Sequence, residues 1–443
     1  MSTNDIDEFF SSDRVAGQAG AVALPEGDFR RYLYDLDDPV LAPYRGMTYD
    51  EFTADRYRAP FLRELLDVWD GLLAEPYVGV TTDGEVVPDL YPLGDAREND
   101  PAVVGAAQRA LALLGEADRA RVVYPLDSPE RRAWSNPEFV FHRVGLRLED
   151  LERAQSDALL EVVRASLSGP GWERVDEAMR LNAYLGELTD LPTIMNARSY
   201  WFAFFGEPST GEPWGWQLSG HHVCLSFTAV AGRDVIAPVF LGGEPAVAEG
   251  RAPLFASREA VALELMASLD DAQRAQAVVF DSVLDERMPE GRLHPADERH
   301  VAGAFRDNRV VPYEGIRGDA LTDPQWALVE AIAEDALLLL RSEQRAAAVA
   351  SVADHRADTH LSWYGATDGS TPLYLRLHSP VILAELDHHA GVWLSNRLPA
   401  RFHVHTTLRH PNGNDYGAAL IDQWRRSIAG ATPRTEPLEK EPS

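Results

Sequence analysis

The chain contains almost no lysine and almost no cysteine. Lys440 is the single lysine among 41 basic residues, so the other 40 are arginines. A lysine that forms a Schiff base with pyridoxal phosphate, or that reaches the phosphates from a Walker A loop, is therefore missing. Cys224 is the only cysteine. This excludes an intrachain disulfide, an iron–sulfur cluster and a cysteine-rich zinc site.

Net positive charge and long apolar runs are missing as well. The formal net charge is −29 at pH 7, so a nucleic-acid backbone would be repelled. No apolar run approaches the roughly 18 residues of a membrane-spanning helix. The acidic N-terminus lacks a signal-peptide pattern, and no Gly-rich nucleotide fingerprint occurs. We therefore expect a cytoplasmic protein that binds neither nucleic acid nor membranes.

Hydrophobic periodicity divides the chain into two regimes. Residues 46–190 carry mostly helical patterns, as in FLRELLDVWDGLL. From residue 197, short strand-like runs appear in a middle segment and again in a C-terminal series with turn residues between them. We predict an α+β fold with a mainly helical N-terminal half and flanking helices. Its antiparallel sheet is built from the middle segment and a C-terminal meander.

The same patterns suggest domain boundaries. We divide the chain into a loosely ordered segment 1–45, a single large domain 46–430 and a disordered, proline-rich tail 431–443. Within the domain, 46–190 forms the helical part and 197–430 contains the sheet.

A weak internal similarity links LLGEADRARVVY (113–124) with SLDDAQRAQAVVF (268–280). In both segments a leucine precedes an acidic first turn, which is followed by an arginine and a valine-rich end. Acidic residues suit the N-terminus of a helix. Common capping chemistry explains the similarity, and duplication is the alternative.

Histidines are concentrated in strand-like segments of the second half. In FHVHTTLRH, His403 and His405 are two residues apart and therefore share one face of a strand. In GHHVCLSFT, alternation assigns His222 to a polar face with Cys224, and His221 to the opposite, mostly apolar face. Two parallel imidazoles can bind one metal ion, provided that a third ligand comes from elsewhere.

Several residues could complete such a site. Imidazole is a good ligand for Cu, Fe and Zn, so we predict one transition-metal ion of these three kinds. Its candidate ligands are His222, His403, His405, His378 and His388. Glu385, Asp387 and His389 lie in the same segment as His388, which also fits an exposed loop. A metal-free polar pocket and a purely structural role for the histidines are the alternatives.

Other residues are candidates for roles around the ion. Asp415 could orient a ligating histidine, and His221 and Glu385 are further catalytic candidates. Arg376 could bind a substrate carboxylate through two hydrogen bonds. Trp216 and Gln217 are candidates for substrate binding, although the tryptophan also fits packing at the edge of the core.

The order of these motifs resembles a known family. WFAFFGEP, PWGWQLSGHHVCLSFT, VFLGGEPA, LYLRLHSPVILAELDH and FHVHTTLRHPNGNDYG follow one another as in the bacterial and fungal domain-of-unknown-function family 3500, over roughly residues 50 to 425. Val404 stands where that family usually has isoleucine. The resemblance implies that the GHH and HxH histidines and Asp415 form one site, and it implies no particular reaction.

We predict a metal-dependent enzyme that acts on a small polar substrate, with oxidoreductase chemistry slightly favoured over hydrolysis. The first alternative is a metal-free hydrolase or lyase with a histidine as general base. The second is a protein that binds a small ligand without turnover.

Overall fold

The computed structural model describes residues 27–95, 97–294 and 296–431. In this part of the chain, eleven α-helices accompany one twelve-stranded mixed sheet. Helices α1 to α11 span Tyr49–Arg56, Pro60–Ala74, Pro101–Leu113, Glu116–Val122, Arg153–Ser166, Gly169–Leu188, Ala256–Ser268, Asp271–Ala277, Asp323–Ala336, Ser342–Asp354 and Ala418–Ala431. Strands β1 to β12 span Val123–Tyr124, Leu146–Arg147, Tyr200–Phe205, Trp214–Gly220, Val223–Val230, Arg233–Gly243, Val278–Phe280, Ile316–Arg317, His360–Tyr364, Tyr374–His378, Leu383–His388 and Val404–Arg409. The predicted α+β class is confirmed.

The sheet joins two antiparallel meanders. Its order is β1-β3-β4-β5-β6-β12-β11-β10-β9-β7, with β2 beside β3 and β8 beside β9. Only β1–β3 and β7–β9 are parallel among the described pairs. The middle segment supplies β3 to β6 and the C-terminal segment supplies β9 to β12. These two blocks meet where β6 pairs with β12 at the centre of the sheet.

The two halves of this sheet have the same topology. Helix α4 leads into β1, which runs parallel to β3, and α8 leads into β7, which runs parallel to β9. Gly145 and Gly315 hold equivalent places before β2 and β8, with φ of 86° and 90°. At each, an added Cβ would lie within about 2 Å of a carbonyl oxygen of the neighbouring strand. The similar sequence segments therefore occupy equivalent positions, which capping chemistry alone does not explain.

The two faces of the sheet have different surroundings. One face carries Leu225, Val404 and Leu408, which pack with the helices in the main hydrophobic core. Because side chains alternate along a strand, the residues between them point to the opposite face. There, buried polar side chains are covered by the long connections 125–145 and 281–315. The second connection brings several charged groups onto β10, β11 and β12.

The predicted N-terminal segment 1–45 is described only from residue 27. Two short 3₁₀ helices form in this part, Phe29–Tyr32 and Ala42–Tyr44. Residues 1–26, and all but the first residue of the predicted tail 431–443, lie outside the described residues. Every helix in the described ranges is too short or too polar to cross a lipid bilayer.

Candidate metal centre

Six histidines meet beside the seam between β6 and β12. We call them the histidine cluster. They are His221, His222, His300, His389, His403 and His405. They come from the turn between β4 and β5, from connection 281–315, from the residue after β11, from the residue before β12 and from β12 itself. All six are at most 5% exposed to solvent.

His403 and His405 are held with their imidazoles in contact. Their Nε2 atoms are 3.0 Å apart, and Nδ1 of His403 lies 2.7 Å from the carbonyl oxygen of Ala390. Since a carbonyl only accepts, Nδ1 carries the proton of a neutral ring and Nε2 presents its lone pair. Neighbouring ligands bound at about 2.1 Å from one ion are roughly 3.0–3.4 Å apart. Without an ion, Nε2–H of His405 donates to Nε2 of His403, and the length of this hydrogen bond equals the spacing of a ligand pair.

His221 and His222 form a turn, which corrects their predicted position within a strand. They are the two residues that connect β4 to β5, between the paired residues Gly220 and Val223. The turn places both rings on one side, with centroids 3.8 Å apart, instead of on opposite faces. His222 has φ of 63°, a left-handed conformation that side chains with a Cβ rarely adopt. Its ring centroid lies 5.1 Å from that of His405.

Gly242 on β6 makes room for these rings. It pairs with His405 in the sheet, and its N–H donates to the carbonyl of His222. A Cβ at this position would lie 2.6 Å from Cδ2 of His405 and 3.0 Å from Cδ2 of His222. The glycine pair of LGGEPA, which has no phosphate-loop spacing, thus allows two imidazoles to approach the sheet.

Burial keeps most of the cluster neutral. Burial lowers the pKa of His221 and of His403 to about 3. The pKa values of His222, His389 and His405 also lie well below the usual range, because of burial and then of neighbouring histidines. Neutral imidazoles retain the lone pairs that a metal ion requires.

Within the described part of the chain, the potential ligand atoms form three overlapping groups, in each of which all atoms lie within 4.8 Å of one another. The groups are His222, His403 and His405; His300, His389 and His405; and Glu298, Asp387 and His389. We call the first the HxH triad and the second the His300 triad. His405 belongs to both triads and lies between them.

Glu385 lies beside the His300 triad, 3.5 Å from Nδ1 of His300. Both oxygens of Glu385 are bonded: Oε1 accepts from the Tyr374 hydroxyl and Oε2 from the Thr407 hydroxyl, each at 2.7 Å. Backbone N–H groups of residues 301 and 302 also donate to it. Burial would raise the pKa of Glu385, but His300 and these donors lower it. The predicted catalytic candidate is therefore a fully bonded carboxylate.

Asp387 and Glu298 share one buried arginine. Nε of Arg299 donates to Oδ1 of Asp387 at 2.7 Å, and Nη2 donates to Oε2 of Glu298. Oδ2 of Asp387 lies 3.1 Å from Nε2 of His389. Connection 281–315 supplies Glu298, Arg299 and His300 from the run DERH. Their role escaped the sequence analysis because this connection has no strand or helix periodicity.

Glu244 lies behind His403. Its Oε1 accepts three backbone N–H groups of residues 392–394 and is 3.9 Å from Nδ1 of His403. Its Oε2 is buried without a hydrogen-bond partner in the described part of the chain. Burial raises the pKa of Glu244 to about 8, against the effect of the three donors. Glu244 therefore approaches His403 from the Nδ1 side, away from the candidate ligand atom Nε2.

A family model described as "Protein of unknown function (DUF3500)" matches residues 96–418. The chain belongs to this family. The matched range includes the whole histidine cluster. Searches of the curated proteins and of the solved structures gave no match.

In this DUF3500 protein, the carboxylate of Asp415 is bonded to a backbone N–H group and to a buried arginine. Its Oδ1 accepts from the backbone N–H of His410 and its Oδ2 from Nη1 of Arg409, at 2.8 and 3.1 Å. The same Arg409 nitrogen donates to Asp307 at 2.7 Å. Among the described residues, the carboxylate of Asp415 bonds to His410 N–H and Arg409 and to no ring of the histidine cluster. This corrects its predicted place beside a ligating histidine, because the fully buried guanidinium of Arg409 takes up the carboxylate.

His378 and His388 also lie outside the histidine cluster. His388 points to the face of the sheet that packs against the helices. Its Nδ1 accepts from the N–H of Leu373, and its Nε2 lies 3.2 Å from Glu259 of α7. The ring of His378 lies beside Tyr313, with centroids 4.7 Å apart. We therefore remove both histidines from the predicted ligand set.

The three predicted substrate-binding residues have other partners. Trp216 lies on the helix side, stacked on Phe227, and its Nε1 donates to Ser166 at 2.9 Å. The amide of Gln217 donates to the carbonyl of Arg131 at 2.6 Å. For Trp216, this agrees with the alternative interpretation of the sequence, in which the tryptophan packs in the core.

Arg376 faces the same side of the sheet as Glu385, its partner in the register of β10 and β11. Its Nη2 is bound by the carboxylate of Glu314 from connection 281–315. The guanidinium is thus already paired with an acidic residue of the protein.

Proposed function

We propose that the protein is a metal-dependent enzyme, an oxidoreductase, whose Cu, Fe or Zn ion is held by His222, His403 and His405. The observation that carries the proposal is the HxH triad itself. Three buried imidazoles from two distant parts of the chain converge, and two of them already have the spacing of neighbouring ligands.

The donor set supports the choice of metal and of a catalytic role. Imidazole nitrogens favour Cu, Fe and Zn, whereas Mg and Ca favour oxygen ligands. The Ala390 carbonyl acts on His403 as an outer partner that fixes the tautomer and orients the ring. Three protein ligands leave a coordination position for a substrate or a solvent molecule, as in catalytic zinc sites.

Oxidation is favoured over hydrolysis because the nearby carboxylates Glu385 and Asp387 already have hydrogen-bond donors and are poor candidates for a general base. The oxygens of Glu385 and Asp387 are occupied by hydroxyl, backbone and arginine donors. The unpaired oxygen of Glu244 belongs to a residue on the Nδ1 side of His403. A bound ion would supply Lewis acidity and, for Cu or Fe, one-electron chemistry.

The surroundings also bear on the two alternatives and on the substrate. A metal-free hydrolase needs a base with a pKa near the working pH, whereas burial lowers the pKa of His221 and of His403 to about 3. Burial also acts against the charged form of His300, but Glu385 outweighs it and raises the pKa of this residue. The burial of all six histidines favours a small polar substrate. Because Arg376 is paired with Glu314, we do not assign recognition of a substrate carboxylate to it.

Metal analysis of tag-free protein tests the proposal. We expect at least one equivalent of Cu, Fe or Zn per chain, as isolated or after reconstitution, and a loss of affinity of at least about 100-fold in His403→Ala. His378→Ala is the matched control, because His378 is equally buried and lies outside the cluster. An ultraviolet–visible spectrum separates Cu or Fe from Zn. The proposal is wrong if reconstituted protein retains no stoichiometric metal.

Turnover distinguishes the enzyme from a binding protein. The metal-loaded protein is incubated with a small-molecule extract, with and without oxygen, and the mixture is compared by mass spectrometry. We expect a small polar compound to be consumed by the metal-loaded protein and to persist with His403→Ala. Binding without any consumption would favour the ligand-binding alternative.

A further inference from the structure

We propose that the histidine cluster binds a second transition-metal ion beside the first, through His300, His389 and a carboxylate oxygen of Glu298 or Asp387. The inference rests on the proposed function, because the two positions adjoin at His405. It extends that function from a single-ion site to a two-ion site.

The His300 triad provides the geometry. The ring centroids of His300 and His389 are 5.5 Å apart, and those of His389 and His405 are 3.9 Å apart. His222 and His403 belong only to the other triad. Five of the six histidines therefore form two pairs with His405 between them, and each pair can bind an ion of its own.

Unpaired ring nitrogens lie at this second position. Among the described residues, neither nitrogen of His300 has a hydrogen-bond partner, and Nε2 of His389 has none. The Glu385 oxygen nearest to His300 is 3.5 Å from Nδ1, beyond a good hydrogen bond. The 3.1 Å approach of Asp387 to His389 lacks hydrogen-bond alignment. Burying unpaired polar atoms is unfavourable. Each neutral imidazole has one lone pair, so an ion would satisfy one nitrogen of His300 and one of His389.

Negative charge is concentrated on the same side. Two neighbouring cations repel each other strongly in a buried site, so anionic groups must accompany the second one. Oδ2 of Asp387 and Oε1 of Glu298 lie 3.1 and 3.6 Å from opposite nitrogens of His389. The guanidinium of Arg299 pairs with both carboxylates through their other oxygens. Oδ2 of Asp387 and Oε1 of Glu298 each accept one backbone N–H group, from Arg299 and Ala390, and each keeps a second lone pair for an ion. Glu385 adds a third negative charge next to His300.

The backbone around His300 is held in place. The N–H groups of Val301 and Ala302 donate to Glu385, and Arg299 donates to Asp387. These bonds attach connection 281–315 to β11 on both sides of His300. Ligands that are fixed before binding lose little freedom when an ion enters.

Titration of the metal-free full-length protein with Co²⁺ tests the inference. Bound cobalt is measured by elemental analysis after gel filtration and by its visible absorbance. We expect two equivalents in the parent protein, one in His300→Gln, one in His403→Gln and two in the control His378→Gln. Thermal unfolding of the metal-free variants verifies that each one is folded.

The outcomes separate this inference from the proposed function. One equivalent in the parent protein, unchanged in His300→Gln and lost in His403→Gln, would overturn the second ion and leave the first. No bound cobalt would overturn both.

A measurement without substitutions tests whether the two ions are adjacent. Protein loaded with two equivalents of Cu²⁺ is examined by electron paramagnetic resonance with spin counting. Coupling between adjacent ions should reduce or broaden the signal relative to protein loaded with one equivalent. Two full, uncoupled signals would contradict a shared site.

Discussion

His405 of β12 lies directly opposite Gly242 of β6, at the seam that joins the two halves of the sheet. The absent Cβ of this glycine leaves the space into which the rings of His405 and His222 extend. The two meanders therefore meet at the position where the metal centre is proposed. The glycine makes a close approach possible that any other residue would obstruct.

Gly242→Ala should weaken metal binding. The new methyl group would lie 2.6 Å from the His405 ring and 3.0 Å from the His222 ring, so at least one imidazole must move. We expect metal affinity to fall by about tenfold or more, which corresponds to about 1.4 kcal/mol. Competition with a chromophoric chelator measures this change.

Gly71→Ala is the control for this substitution. Gly71 lies in helix α2, with no atom within 4 Å of an added Cβ. We expect a gain of about 0.5–1 kcal/mol in the free energy of unfolding and no change in metal affinity. Equal metal affinity in both glycine variants and in the parent protein would contradict the role given to Gly242.

Replacement of His222 should change stability and metal binding independently, because its backbone is strained. Its φ of 63° disfavours any residue with a Cβ by roughly 1–2 kcal/mol relative to glycine. We expect metal-free His222→Gly to be more stable than His222→Ala by about 1 kcal/mol, and both to lose the first ion. Urea unfolding measures the difference. Equal stability of the two variants would indicate that the turn relaxes in the absence of the imidazole.

Strand alternation was sufficient to predict the faces of the C-terminal strands. His405 and Thr407 share one face of β12 while Val404 and Leu408 lie in the core, because the period of two is a local property of the backbone. The family and the α+β class were also predicted and are confirmed. These features depend on short runs of sequence or on the order of motifs.

The remainder of the site depends on tertiary contacts. His300 reaches the cluster because Arg299 binds Asp387 across the sheet, and nothing in the local pattern of the connection indicates this. The two-residue turn of His221 and His222 follows from the pairing register of β4 and β5. Asp415 was placed in the site because it closely follows the HxH motif, but its carboxylate binds the buried Arg409.

Asp415→Asn should affect stability and leave metal binding intact. The carboxylate shares the buried guanidinium of Arg409 with Asp307. Because Asp307 still pairs with Arg409 in the variant, we expect a loss of about 1–3 kcal/mol rather than complete unfolding. Metal stoichiometry should stay at the parent value. A variant with unchanged unfolding and lost metal would restore the role predicted from the sequence.

Asp335 should contribute to stability in a way that disappears in acid. It joins Arg174 of α6 to Arg258 of α7. Burial opposes its ionisation, but the two arginines outweigh burial and lower the pKa of Asp335 well below its usual value. A depressed pKa stabilises the fold above the unfolded value of about 3.9, and this contribution is lost as the pH falls below it. Asp335→Asn should therefore destabilise the protein at pH 7 by about 1–3 kcal/mol and much less near pH 2.

The control for this substitution is Asp118→Asn, in an exposed pair with Arg121. It should change stability by less than about 1 kcal/mol at either pH. Urea unfolding at both pH values measures the difference, and an equal loss for Asp335→Asn at pH 7 and pH 2 would exclude ionisation as the cause.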